Sequence, residues 1–228
     1  MLLTIDNAKT SKGEKLGYLT GILYMLPDKK TCPFAKQANC LEACLVTAGL
    51  AGIYKSINEA REKRKEFFYK DRSGFMEQLA KEIESLIKKA KKENQIPVIR
   101  LNGTSDIPYE NIPYKEYKNI FDAFPGIQFY DYTKISKRLT RSLPKNYDLT
   151  FSYSTRKEFE FSTKEAIKSQ KRIAVVFRKE LPTTFLGREV VDGDKTDLRF
   201  LDPINSIVGL KAKGKAIHDY SGFVVDPE

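Results

Sequence analysis

The apolar and polar residues of this chain follow two different periods. An apolar run rich in strand-forming residues, GYLTGILYML at 17–26, predicts a first strand that ends at Pro27 and Asp28. Apolar residues spaced three and four apart predict amphipathic helices at about 56–70 and 74–93. After Pro97, short apolar strands (VIRLNG, IQFYDY, DLTFSYS and RIAVVFR) alternate with polar segments of helical character. This rhythm is typical of βαβ units and predicts an α/β fold with a parallel sheet.

The C-terminal part has a more strand-rich pattern. A turn signal lies within VVDGDKTDLRFLDP, between extended stretches, and residues 204–213 predict another strand. Four aspartates here have the composition of a cation site, but not the spacing of an EF-hand loop, so turn and cap roles are favoured: Asp192, Asp194, Asp197 and Asp202. We expect one domain over 1–228, with a cysteine loop at 27–50, a β/α array at about 97–180 and a β-rich C-terminal extension at about 181–228.

Composition supports a globular protein away from membranes. Hydrophobic residues make up 41% of the chain and charged residues 31%, which is enough apolar content for a substantial core. No apolar window reaches the roughly 18 residues that a membrane span needs. The chain shows no secretory leader pattern, so we expect a reduced, cytoplasmic protein with no membrane partner.

The net charge of +10 favours a polyanionic partner, although basic surfaces also serve solubility. Residues 134–145 contain basic side chains and no acid, and Lys137, Arg138 and Arg141 are the candidate nucleic-acid contacts. A solvated helix face is the alternative interpretation of this basic stretch. Near the C-terminus, Lys211, Lys213 and Lys215 lie beside Gly214 and could meet a phosphate, but their pattern matches no P-loop.

All three cysteines of the chain fall within thirteen residues, as Cys32-x7-Cys40-x3-Cys44. Three thiolates can hold a [4Fe-4S] cluster and leave one iron open to chemistry, which is the favoured interpretation. An odd number of cysteines argues against a disulfide framework. Zinc would need a fourth ligand, and the one histidine, His218, is distant in sequence. Buried structural thiols are a further alternative, since Cys40 and Cys44 lie on one face of any helix they form.

Polar residues follow the predicted parallel strands at their carboxyl ends. Ligands of parallel α/β folds bind at this edge of the sheet. Turn and cap roles are the alternative, because Asn, Ser and Asp favour turns. Two groups make a candidate site beside the cysteine loop: Arg100, Asn102, Ser105 and Asp106 after one strand, and Asp131, Tyr132 and Lys134 at the end of the next.

Several segments together resemble an uncharacterised bacteriophage and prophage family, the gene product 88 domain proteins. They are NAKTSKGEKLGYLTGILY, CPFAKQANCLEACLVTAG, IRLNGTSDI, QFYDYTK, LTFS, VVFR, DGDKTDLRFLDP and GLKAKGKA. The resemblance covers nearly the whole chain. It implies a phage-encoded protein in the cytoplasm of the host cell, and it assigns no activity.

A more distant resemblance is to radical S-adenosylmethionine enzymes, because the cysteine trio directly follows the first strand of a β/α array. Those enzymes usually carry C-x3-C-x2-C, whereas the spacing here is x7 and x3. The resemblance implies a partial (β/α) barrel in which Cys32, Cys40 and Cys44 hold a [4Fe-4S] cluster whose open iron binds S-adenosylmethionine.

The same resemblance gives expected roles to the strand-end residues. Arg100, Asn102, Ser105 and Asp106 would contact S-adenosylmethionine, and Asp131, Tyr132 and Lys134 would handle substrate or protons. The substrate is left open between a small molecule and a nucleic acid. The competing function is a non-catalytic nucleic-acid-binding or host-interaction protein with a structural metal site, in which Tyr130 and Tyr132 could stack on bases.

Overall fold

A computed structural model of the protein describes residues 1–40 and 50–227. The described strands are β1 (Leu3–Thr4), β2 (Tyr18–Leu23), β3 (Ile96–Arg100), β4 (Gln128–Thr133), β5 (Tyr147–Ser152), β6 (Ile173–Phe177), β7 (Thr184–Phe185), β8 (Arg188–Asp192), β9 (Ile207–Lys211) and β10 (Val224–Val225). The described α-helices are α1 (Thr10–Glu14), α2 (Leu50–Ile53), α3 (Lys55–Lys70), α4 (Arg72–Lys92), α5 (Ile120–Ala123) and α6 (Glu160–Lys168). Short 3-10 helices lie at Tyr109–Asn111, Ser136–Arg138, Lys157–Phe159, Arg199–Leu201 and Gly214–His218.

The strands form one mostly parallel sheet in the order β1-β2-β3-β4-β5-β6-β9-β8-β7. Strands β2 to β6 lie side by side in chain order and are all parallel. The edge strands β1 and β7 pair antiparallel with β2 and β8. Over the described residues the sheet is therefore open rather than a closed barrel, and the predicted α/β class with a parallel sheet is confirmed.

The C-terminal strands complete this sheet. Strand β9 pairs in parallel with β6, and β8 pairs in parallel with β9. Strand β10 pairs with the end of β6, at Val224↔Val176 and Val225↔Phe177. The β-rich character expected for about 181–228 is present, but most of it extends the main sheet because the apolar residues of β9 are buried there.

The predicted long helices are confirmed as α3 and α4. One face of α4 is apolar, with Phe75, Leu79 and Ile83 among its buried residues. Its first turn is capped by the Asp71 carboxylate, which accepts a hydrogen bond from Gly74 N at 2.9 Å. The helix packs against β2 and β3 and covers one face of the sheet. Within the described chain, no helix is both long and apolar enough to cross a membrane.

The two faces of the sheet differ in polarity because side chains alternate along each strand. On the helix-covered face, Ile99 of β3, Phe129 of β4 and Phe151 of β5 belong to the main hydrophobic core. On the other face, Arg100 and Tyr132, at the ends of β3 and β4, line a cavity. We call this the inner face. Helix α1 packs over β2 on the inner face, and a Cβ on its Gly13 would lie 3.1 Å from Thr20 Oγ1.

Candidate functional site

The inner face carries a cavity of about 320 Å³ at the carboxyl ends of the parallel strands. Its wall is built from the strand ends of β3 to β6 and β9, the loop that follows β2, helix α1, and the segments at 193–197 and 213–223. This is the edge at which parallel α/β folds bind ligands. The volume suits a small molecule.

The loop after β2 brings two cysteines to the cavity. A turn precedes them, in which the Asp28 carboxylate accepts hydrogen bonds from Lys30 N at 2.8 Å and Thr31 N at 2.9 Å. Cys32 Sγ then lies 3.7 Å from the carbonyl oxygen of Thr104, while Cys40 Sγ lies 3.8 Å from that of Ala35. Both cysteines line the cavity.

The cysteine loop is also fastened to the segment that follows β3. Asp106 N donates to the carbonyl oxygen of Thr31 at 2.7 Å, and Thr104 Oγ1 donates to that of Met25 at 2.6 Å. The structure thus places the cysteine loop directly beside the predicted strand-end residues.

The third predicted ligand, Cys44, lies outside the described residues. Within 1–40 and 50–227, no group of three His, Cys, Asp or Glu side chains is placed to hold a metal ion. The donor chemistry of the two described cysteines nevertheless fits an iron-sulfur cluster, because thiolates are the donors such clusters use and both cysteines line one cavity.

Asn102 shapes the segment after β3. Its Oδ1 accepts hydrogen bonds from Ile107 N and Ser105 Oγ, both at 2.8 Å. Its Nδ2 donates to Ile107 O and to Asp131 Oδ2, both at 3.0 Å. The predicted cofactor contacts Asn102 and Ser105 therefore line the cavity, but their side chains also hold each other and the loop in place.

Asp131 lies beneath this loop, on the helix-covered face. Its carboxylate accepts hydrogen bonds from Asn102 N at 2.6 Å and from the Tyr147 hydroxyl at 2.9 Å. The residue is 1% exposed and is not part of the cavity wall. Burial raises the pKa of Asp131 to about 6. Asp131 therefore holds the ends of β3 and β4 in position, and its expected role in handling substrate or protons stays a prediction.

Asp106, which lines the cavity, forms a buried ion pair with Arg138, which lies outside the wall. Arg138 Nη1 donates to Asp106 Oδ1 at 2.7 Å, and Lys134 N donates to Asp106 Oδ2 at 2.7 Å. Arg138 also forms a two-pronged pair with the carboxylate of Glu110, at 2.7 and 2.8 Å. Burial raises the pKa of Asp106, while Arg138 opposes that shift. Both carboxylate oxygens of Asp106 thus have partners within the fold, and its predicted contact with a cofactor stays a prediction.

Arg138, a predicted nucleic-acid contact, is buried in this ion pair and does not lie on the expected surface. Arg138 is only 3% exposed, because its charge serves to satisfy Asp106 and Glu110. Lys137 and Arg141 are exposed and remain on the surface. Two of the three predicted cations in the basic stretch are therefore accessible to a phosphate backbone.

Arg100 and Asp197 form a second ion pair, which lies on the inner face. Arg100 Nη1 lies 3.0 and 2.8 Å from the two carboxylate oxygens of Asp197, and its guanidinium stacks 4.6 Å from the centre of the Tyr132 ring. Lys9 Nζ lies 3.7 Å from Asp197 Oδ1. Burial alone would raise the pKa of Asp197, but the nearby cations Arg100 and Lys9 lower it to about 2. Arg100 and Tyr132 are thus cavity residues, as predicted from the strand ends.

Lys134 and Tyr132 are the two predicted catalytic candidates that line the cavity. Lys134 Nζ donates to Ser152 Oγ at 2.8 Å and lies 4.7 Å from the centre of the Phe223 ring. Burial raises the pKa of Tyr132 to about 12. Both side chains could contact a molecule in the cavity, and their catalytic roles stay predictions.

Sequence reasoning missed Lys9, Lys12 and the pairing of Asp197. All three residues line the cavity. They lie far in sequence from the predicted site residues at the ends of β3 and β4. The signal available was their presence in two of the segments that carry the family resemblance, NAKTSKGEK and DGDKTDLR.

A comparison with protein families found one match, to the model described as Gene product 88, over residues 1–227. No curated protein matched the chain, and no solved structure matched it. The resemblance to the gene product 88 proteins is therefore confirmed, and the more distant resemblance to radical S-adenosylmethionine enzymes gains no support from these comparisons.

Proposed function

This chain belongs to the Gene product 88 family, and we propose that it is an iron-sulfur protein in which Cys32, Cys40 and Cys44 bind a [4Fe-4S] cluster at the inner-face cavity. We further propose that the cavity is the active site of a radical S-adenosylmethionine enzyme. When bound, the cluster and its S-adenosylmethionine would supply a radical that abstracts hydrogen from the substrate.

The observation that carries this proposal is the position of the cysteine loop. It directly follows β2, the first parallel strand, and its Cys32 Sγ lies 3.7 Å from Thr104 O, just beyond the end of β3. Cys32 and Cys40 therefore line the same cavity as Arg100, Tyr132 and Lys134. Isolated structural thiols would have no reason to share a cavity with charged strand ends.

The strand order supports the finer fold assignment. Strands β2 to β6 follow one another in chain order, and right-handed crossovers between parallel strands place their connections on one face. That arrangement supports a partial (β/α) barrel with its polar side chains gathered inside.

The chain's own residues would have three tasks in this site. Asn102 and Asp131 hold the loop after β3 in position against the cysteine loop. Tyr132 and Lys134 line the cavity and would face the molecules that bind there. Phe34 and Phe223 contribute apolar wall, which excludes water from a reactive intermediate.

The test is anaerobic purification followed by measurement of iron, sulfide and zinc. We expect a brown protein with about four irons per chain, and a change in its spectrum when S-adenosylmethionine is added. Cys32→Ala, Cys40→Ala and Cys44→Ala should each lose most of the iron. Lys36→Ala, which changes an exposed residue in the same loop, is the matched control and should retain it.

Two results would refute the proposal. Full iron content in all three cysteine variants would rule out the cluster, and one zinc per chain with no iron would identify a structural metal instead. If the cluster is present but its spectrum does not change when S-adenosylmethionine is added, the protein is an iron-sulfur protein and the proposal of radical chemistry is wrong.

A further inference from the structure

The cavity carries an excess of positive charge. Six cationic side chains line it among the described residues: Lys9, Lys12, Arg100, Lys134, Lys211 and Lys213. The described carboxylates in the same wall are three: Asp106, Asp194 and Asp197. Asp106 is already neutralised by Arg138, which lies outside the wall. Lys211 is paired with Glu180, which also lies outside the wall, and the remaining two carboxylates cannot balance the other five cations.

Asp197 is shared between two cations, the buried Arg100 and the half-buried Lys9. Arg100 Nη1 donates to both carboxylate oxygens of Asp197. Lys9 Nζ lies 3.7 Å from Asp197 Oδ1, which is beyond hydrogen-bond distance. Within 1–40 and 50–227, Lys9 Nζ makes no hydrogen bond and Arg100 Nε has no partner. Removing a cation from water costs free energy when it shares its only nearby carboxylate with another cation. An incoming anion would lower that cost.

Asp194 contacts two lysines, Lys12 and Lys213, at the entrance of the cavity. Its Oδ1 lies 2.6 Å from Lys213 Nζ, and its carbonyl oxygen accepts a hydrogen bond from Lys12 Nζ at 2.5 Å. Lys12 and Lys213 are exposed. Lys9, whose side chain keeps 34% of its accessible surface, lies deeper in the wall. An anion entering the cavity would therefore pass the exposed ammonium groups before reaching Lys9.

We propose that Lys9, Lys12 and Lys213 form a phosphate-binding subsite, and that the substrate is a phosphorylated small molecule. Its identification as the substrate rests on the function proposed above, whereas the subsite itself does not. Several ammonium groups act as point charges and suit a phosphate dianion. A cavity of about 320 Å³ favours a small molecule over a nucleic-acid strand.

The protonation behaviour of Lys9 agrees with this assignment. Burial lowers the pKa of Lys9 to about 8, and Asp197 only partly opposes that shift, while Arg100 and Lys213 reinforce it. A phosphate group beside Lys9 would replace the missing counter-charge and return the pKa toward its ordinary value of 10.5.

The experiment measures binding of inorganic phosphate by calorimetry at low salt, on the anaerobically purified protein. Lys9→Met and Lys213→Met remove one charge each and keep an apolar stem, and each should weaken phosphate binding about tenfold. Lys137→Met removes an exposed lysine outside the cavity and should leave the affinity unchanged. Lys9→Arg, which restores the charge, should recover part of the binding and guards against a folding defect in Lys9→Met.

Cys40→Ala separates this inference from the function that it extends. If that variant loses iron but still binds phosphate, the subsite stands whatever the cluster does. Unchanged affinity in both Lys9→Met and Lys213→Met would overturn the subsite. An equal loss in Lys137→Met would also overturn it, and would assign anion binding to the basic stretch on the surface.

Discussion

Arg138 Nη1 and Asp106 Oδ1 lie 2.7 Å apart in a buried ion pair that joins the segment after β3 to the segment after β4. Because Arg138 also satisfies Glu110, removing its charge would leave two carboxylates without their partner. The pair therefore fixes the two strand ends that line the cavity, and it neutralises the Asp106 carboxylate within the wall.

Replacing Arg138 by Met should lower the free energy of unfolding by about 3–5 kcal/mol, because it leaves buried carboxylates uncompensated. Lys137→Met, one residue earlier and exposed, should change it by less than about 0.5 kcal/mol. Urea unfolding at neutral pH measures both. Equal stability of the two variants would show that the ion pair does not hold the site together.

Asp131 predicts a pH effect on stability. Its pKa in the folded protein is about 6, above the ordinary value of 3.8, so between these values the folded state binds more protons than the unfolded state. The contribution of Asp131 to the free energy of unfolding is therefore fully present below about pH 4 and is lost as the pH rises through about 6.

The test compares wild type with Asp131→Asn in urea across that window. The advantage of wild type over the variant should shrink as the pH rises from about 4 to about 6. Taking the difference cancels other carboxylates such as Asp197, whose lowered pKa acts in the opposite direction. A constant difference across the window would contradict the raised pKa of Asp131.

Anion binding should depend on the protonation of Lys9. Groups from several segments face its ammonium: Asp197, Arg100, Lys213 and Arg199. Sulfate is the better probe here, because its charge stays constant in this range. Its affinity for wild type should fall as the pH rises through about 8, since the neutral amine no longer attracts it.

Lys9→Met should bind sulfate more weakly and with a flatter pH profile. Calorimetry from about pH 7 to about pH 9 covers the titration. If the variant kept the wild-type decline, another group would be the one that titrates.

Gly103 predicts a steric effect at the junction of β2 and β3. A Cβ there would lie 2.8 Å from the backbone oxygen of Leu23 and 2.7 Å from Cδ1 of Tyr24. Gly103→Ala should therefore push the two strand ends apart and cost about 1–3 kcal/mol of stability. It should also reduce iron retention, since the cysteine loop starts from the end of β2.

Gly126→Ala is the matched control, because a Cβ at that position would meet no heavy atom within 4 Å. Thermal unfolding and iron analysis of the two variants check the prediction. A stable, iron-replete Gly103→Ala protein would mean that the junction tolerates movement.

The sequence was sufficient for the elements whose periodicity is strong. The helix predicted at 74–93 is α4 at Arg72–Lys92, because its apolar residues recur at helical spacing. The parallel strands followed from their apolar runs and regular alternation with polar segments. The edge at which Arg100, Tyr132 and Lys134 gather followed from the parallel direction of the strands.

The partners of individual side chains could not be predicted in the same way. Asp106 was expected to face a ligand, and its actual partner, Arg138, lies 32 residues further along the chain. The pairing of Arg100 with Asp197 spans 97 residues. Local patterns carry no information on such pairs, because they depend on how the segments after β4 and β8 pack on the sheet.

The cavity also sets an order of events during synthesis. Lys12 and Asp194, which meet at its mouth, are 182 residues apart in sequence. A nascent chain that has emerged only as far as β6 would expose the polar inner face without its remaining wall, because the ribosome releases the chain from its N-terminus. The wall of the cavity is complete only when 193–223 has joined the sheet, so binding of a molecule that contacts this segment requires the finished polypeptide.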